Sequence, residues 1–70
     1  MEPVNLVIAG NYEQFRVWQL RTALEAKYVA DPQALRGHRS YRLFLVGTYY
    51  RRPPELIEEA RLRASEVQYA

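Results

Sequence analysis

Two stretches of this chain are apolar at consecutive positions, and the rest alternates between polar and apolar on a helical period. Leu43-Phe44-Leu45-Val46-Gly47 is a short run closed by a small residue, and Asn5-Leu6-Val7-Ile8-Ala9 is a second one closed by Gly10. Runs of this length with apolar neighbours at i and i+1 fit strands buried on both faces, as in a parallel sheet. Pro3 stands just before the first strand, where no ladder hydrogen bond is required. After Gly10, Asn11 suits a helix N-cap and Gln14 completes a capping-box spacing, so a helix is predicted from Tyr12 to about Glu25.

That helix is apolar on two sides. At 100° per residue, Val17, Leu20 and Leu24 form one stripe; Phe15, Trp18 and Thr22, with Tyr12 at the margin, form another nearly opposite. One stripe can cover the sheet. The other needs cover from elsewhere, and the sequence reading assigns Phe15, Trp18 and Thr22, together with Tyr50, to a subunit interface.

Lys27-Tyr28-Val29-Ala30 reads as a short edge strand carrying a lysine. Asp31-Pro32-Gln33-Ala34-Leu35-Arg36-Gly37 has the composition of one helical turn, with Asp31 as cap, Pro32 at the first helical position and Gly37 at a left-handed exit. The last helix is predicted to begin at Pro54 and to bury Leu56, Ile57, Ala60, Ala64 and Val67, with Gln68-Tyr69-Ala70 fraying. Glu59 and Arg63 fall at an i,i+4 pair within it.

The element order is β-α-β-turn-β-α, and helix-length crossovers imply parallel strands. The predicted fold is a small α/β domain of residues 1–70: a mainly parallel three-stranded sheet in the order 2-1-3, with two helices and one short helical turn, a Rossmann-like half domain. A hairpin of the second and third strands is the competing arrangement, although ten intervening residues are long for one. In the 2-1-3 arrangement one sheet face has a single turn as its cover, a second reason to expect a dimer. A chain of 70 residues near the lower size limit for independent folding is a third.

Composition narrows the chemistry. Without cysteine, disulfides and thiolate zinc sites are excluded, and His38 is the sole histidine, so neither a metal nor a cofactor is expected. Residues 1–3 lack the features of a signal peptide, and no apolar run reaches the ~20 residues of a membrane span, which reads as a soluble protein of the cytoplasm with no membrane partner. Net charge is +2, yet Arg36, His38, Arg39, Arg42, Arg51 and Arg52 all fall between Asp31 and Glu55, a stretch without an acid. Nine of the ten basic residues are arginine, which suits planar anion contacts and equally suits a GC-rich genome.

The two strand ends resemble each other: Ile8-Ala9-Gly10-Asn11-Tyr12 and Leu45-Val46-Gly47-Thr48-Tyr49. If the strands are neighbours with crossovers leaving in opposite directions, these turns flank the switch point where open α/β sheets bind ligands. The ligand-site residues expected there are Gly10, Asn11, Tyr12, Gly47, Thr48 and Tyr49, with Arg51 and Arg52 clamping a phosphate of a nucleotide or nucleic acid. Neither turn is a G-x-G-x-x-G or a phosphate-binding loop, so the plainer reading is that the glycines end strands and the tyrosines pack. The stretch Arg39-Tyr41-Arg42-Tyr49-Tyr50-Arg51-Arg52 likewise suits nucleic acid or a subunit rim. No catalytic constellation is visible. His38 follows a helix-stop glycine, Glu55, Glu58 and Glu59 answer a helix dipole, and Ser40 and Ser65 have no evident base.

V-I-A-G-N-Y-x-x-F at the start, D-P-x-x-L-R-G in the middle and V-G-T-Y-Y-x-R-P before the last helix resemble small proteins encoded by bacteriophages of actinobacteria, over about Leu6 to Ala60. The resemblance implies a context rather than a chemistry: a non-enzymatic, self-associating accessory protein in the host cytoplasm, acting on a host protein or defence component.

Overall fold

A computed structural model describes residues 4–38 and 40–70; Pro3 and Arg39 lie outside them. The chain forms β1 (Val4–Ala9), α1 (Tyr12–Thr22), β2 (Lys27–Tyr28), a 3-10 turn (Pro32–Leu35), β3 (Tyr41–Val46), a second 3-10 turn (Tyr49–Arg51), α2 (Pro54–Arg63) and β4 (Glu66–Tyr69). All strand pairs are parallel, in the order β2-β1-β3-β4. The competing β2–β3 hairpin does not form, because β1 lies between the two strands. β1 and β3 pair along their full length, from Val4 opposite Tyr41 to Ala9 opposite Val46.

Leu6 to Ala9 and Leu43 to Val46 are buried throughout, as their unbroken apolar runs require. Alternate residues serve opposite faces. Val7, Ala9, Phe44 and Val46 pack against Phe15 and Trp18 of α1; Leu6, Ile8, Leu43 and Leu45 pack with Leu35 of the first 3-10 turn and Leu56 and Ala60 of α2. The chain moves one way from β1 to β2 and the other way from β2 to β3 to β4. Cover therefore falls on opposite faces, as crossovers of a single hand dictate.

Three expectations need correction. The sheet has four strands, not three. The last helix stops at Arg63; Ala64 is extended, and Val67 with Gln68 and Tyr69 of the expected frayed end belongs to β4. The Ser65 N–H and hydroxyl both donate to the Tyr41 carbonyl, at 2.8 and 3.0 Å, and the Tyr41 hydroxyl donates to the Ala60 carbonyl at 2.6 Å. Tyr41 thus fixes both sides of the helix-to-strand junction, and pairing with β4 satisfies the outer edge of β3. Finally, α2 shares its sheet face with the 3-10 turn, so that face is not left to one turn. This removes one of the reasons given for a dimer.

α1 is also shorter than its pattern suggests. Ala23 adopts φ +57°, donating its N–H to the Gln19 carbonyl at 2.8 Å, and the helix ends there. Gly37 takes the left-handed exit that the sequence assigned to it, at φ +88°. The Glu59–Arg63 pair forms at 3.6 Å, half exposed. Among the described residues no helix is long and apolar enough to cross a membrane.

Candidate functional site

β1 and β3 end side by side, and their Gly10 and Gly47 turns come together at the switch point. Asn11 caps α1 through its side-chain oxygen, which accepts from the Gln14 N–H at 2.9 Å. The Gln14 side chain does not return to Asn11 as a capping box would. Its Oε1 accepts from the backbone N–H of Gly10 at 2.9 Å and of Thr48 at 3.0 Å. The Thr48 hydroxyl completes the bridge, donating to Oε1 at 3.2 Å and accepting from Nε2 at 3.0 Å. Two backbone donors on one atom fix the amide's orientation, since only its oxygen can accept them.

The two glycines sit tightly against this bridge, Gly10 against Thr48 and Gln14 and Gly47 against Gln14. A Cβ on Gly10 would collide with Thr48 Oγ1 and sit 2.7 Å from Gln14 Oε1. A Cβ on Gly47 would sit 2.5 Å from the same oxygen, and Gly47 also holds φ +60°. The Gly10 and Thr48 N–H groups are therefore already given to a side chain of the same protein.

Arg52 is turned inward as well. Its Nε donates to the Ala9 carbonyl at 2.9 Å and its Nη2 donates to the Tyr28 hydroxyl, tying the loop after β3 to the ends of β1 and β2. That is a structural cross-link and not a free phosphate clamp. Arg51 is exposed. Tyr12 packs edge-on against Tyr28, with centroids 5.5 Å apart, and lies 5.7 Å from Phe15. Tyr49 is half-buried and packs on Tyr69, while Tyr50 is 66% exposed beside it.

The expected site residues thus divide. Gly10, Asn11, Gly47 and Thr48 do gather at one place, around Gln14. Tyr12 and Arg52 gather around Tyr28. Gln14 and Tyr28 were not read as site residues; Gln14 carried a signal, in the capping-box spacing, and Tyr28 carried none.

Phe15 and Trp18, expected at a subunit interface, belong to the core instead. Phe15 and Trp18 are 5% and 7% exposed, packed on the chain's own sheet, with the Trp18 and Phe44 rings 4.9 Å apart. Neither is available to a second subunit. The Thr22 hydroxyl donates back to the Trp18 carbonyl at 2.9 Å. On the opposite side of the helix Val17 and Leu20 are exposed, Leu20 by 77%, and Leu24 is exposed beyond the helix end. Beside them an open groove of about 810 Å³ runs from the switch point, at Asn11, Gln14 and Gly47, along the flank of α1 at Val17, Trp18 and Arg21, to Val46 at the end of β3 and Ala70 just beyond β4.

Among the described residues, Tyr41 is the ionisable side chain that the fold perturbs. Burial pushes its phenol above the ordinary value of 10.0, with Arg63 pulling it down and Glu59 pushing it up to lesser extents. It lies at the α2–β4 junction, away from the switch point. Among the described residues no group of three or more His, Cys, Asp or Glu could hold a metal ion.

No family model, no curated protein and no solved structure matches this chain.

Proposed function

We propose that this protein is a non-enzymatic interaction module that self-associates, with the outer face of α1 as its contact surface. Its context is that of a phage accessory protein of the host cytoplasm, directed at a host protein, as the resemblance noted above implies. One observation carries the reading: two large aliphatic residues, Val17 and Leu20, stand exposed on a helix whose other side already fills the core, and a third, Leu24, is exposed just beyond its end. Exposed aliphatic residues next to one another on a helix suit a protein contact. The switch point supports the same reading in part, because Gln14 takes up the Gly10 and Thr48 N–H groups and Arg52 is bonded to Ala9 and Tyr28.

Light scattering over a wide concentration series tests it. The intact chain is expected to exceed its 8.3 kDa monomer mass as concentration rises, and Leu20→Asp to hold the monomer mass with an unchanged melt. A monomer mass throughout for the intact chain would sink the reading.

A second reading, nucleotide or nucleic-acid binding, is favoured by Tyr50 and Arg51, both exposed on the loop after β3. A thermal-shift panel of nucleotides and short oligonucleotides decides it, with Arg51→Ala expected to abolish any stabilisation seen.

A further inference from the structure

The outer face of α1 has a charge order that is complementary to itself. Glu13, Val17 and Arg21 stand four residues apart and make one row along the exposed side of the helix. Read in the opposite direction, acid–Val–base becomes base–Val–acid. A two-fold axis beside Val17 would run two such helices antiparallel and set Glu13 of each against Arg21 of the other. Each charge lies about 6 Å along the helix from Val17, so both pairs fall in register at once. Leu20 stands on the same side of the row in both copies, about 4.5 Å along the helix from Val17, so the two leucines flank the axis from either end. Arg16 lies 100° around the helix from Val17, at the rim, where its guanidinium reaches water. Neither Glu13 nor Arg21 is in an ion pair within the chain among the described residues.

We infer that the occupant of this face is a second copy of the chain, its α1 antiparallel to the first across a two-fold axis at Val17, with the Glu13–Arg21 contact made twice. The inference rests on the reading of α1 as the contact surface and adds its partner, orientation and register. The size of the surface sets its strength. A stable interface covers about 800 Å² per partner, roughly a sixth of the 5001 Å² that this chain exposes. A helix of 11 residues, about 16 Å long, supplies only part of that, so the dimer is a weak one that dissociates on dilution.

Charge exchange tests it. Glu13→Arg turns both contacts into base against base, and Arg21→Glu turns both into acid against acid; each is expected to raise the dimer dissociation constant roughly tenfold or more at low salt. The double variant Glu13→Arg/Arg21→Glu restores both pairs with their polarity exchanged and is expected to recover the dimer. An equimolar mixture of the two single variants is expected to form a heterodimer, because every contact across it is then acid against base. High salt should shrink all of these differences. If the intact chain never dimerises, the broader reading fails with this one. If it dimerises but both single variants dimerise equally well, or if the double variant fails to recover while its melt is intact, the two copies meet elsewhere, for instance along the open edge of β4. The contact-surface reading then survives only if Leu20→Asp still abolishes the dimer.

Discussion

Gln14 and Thr48 are 34 residues apart in sequence and joined by three hydrogen bonds, which close the gap between the start of α1 and the end of β3. The two turns that flank the switch point of the sheet are here bridged from within by a side chain. Removing the carboxamide by Gln14→Ala strands the N–H groups of Gly10 and Thr48 in a partly buried place. A cost of about 1–3 kcal/mol is expected, or a fall of several degrees in Tm for a domain of this size. Gln14→Glu keeps an acceptor for both N–H groups and is expected to cost less at neutral pH. Denaturant melts of the two variants check this, and equal losses would show that the acceptor is not what matters.

Ala23 ends α1 in a left-handed conformation that costs an L-residue roughly 1 kcal/mol. Ala23→Gly is expected to stabilise the fold by about 0.5 kcal/mol, the conformational relief being offset in part by a more flexible unfolded chain. Urea unfolding of the two proteins measures it. A loss of stability would mean that the Ala23 methyl makes contacts worth more than the strain.

Arg51 and Arg52 are neighbours of the same type with unlike positions. Arg52 bonds to the Ala9 carbonyl and the Tyr28 hydroxyl, and its replacement by alanine is expected to cost about 1–2 kcal/mol. Arg52→Lys should recover little of this, since a point charge cannot serve two acceptors held by a planar fork. Arg51→Ala should stay within about 0.5 kcal/mol. Thermal melts of the three variants separate the two roles, and equal effects at both positions would contradict the cross-link.

Much of the layout was legible before any coordinates. Consecutive apolar residues placed β1 and β3 at the centre, Lys27 marked an edge strand, and Asn11, Gly37 and Pro54 marked element ends. β4 was missed because Val67 lies seven residues beyond Ala60, a spacing that suits a helix as well as the alternation Glu66-Val67-Gln68-Tyr69 suits a strand. The choice is made by tertiary contacts, the Ser65 bonds to Tyr41 and the open edge of β3, which no local window contains. The two stripes of α1 were both visible, but periodicity does not say which one meets the sheet. Phe15 and Trp18 win that place, with Trp18 against Phe44 and Phe15 against Tyr28. At the switch point the turns were legible and their closure was not, because the Gln14–Thr48 bridge depends on two distant turns meeting.

Tyr41 links stability to alkaline pH. Its phenol is buried with its hydroxyl donated to the Ala60 carbonyl, and burial holds its folded pKa above the unfolded 10.0. Below about pH 10 the phenol is neutral in both states, and the stabilisation it provides is fully present. Above that pH the unfolded chain releases the proton while the folded one retains it, so the unfolded state binds fewer protons and stability falls as pH rises. The fall continues until the folded phenol itself ionises. Tyr41→Phe removes this contribution. It should cost about 1 kcal/mol at neutral pH through the lost hydrogen bond, a modest sum because the Ala60 carbonyl still accepts from the Ala64 N–H at 3.1 Å. Urea melts of both proteins at neutral pH and above pH 10 are the measurement. The gap between them should narrow as pH rises, and a gap that stays constant would mean that Tyr41 ionises as readily in the folded protein as in the unfolded chain.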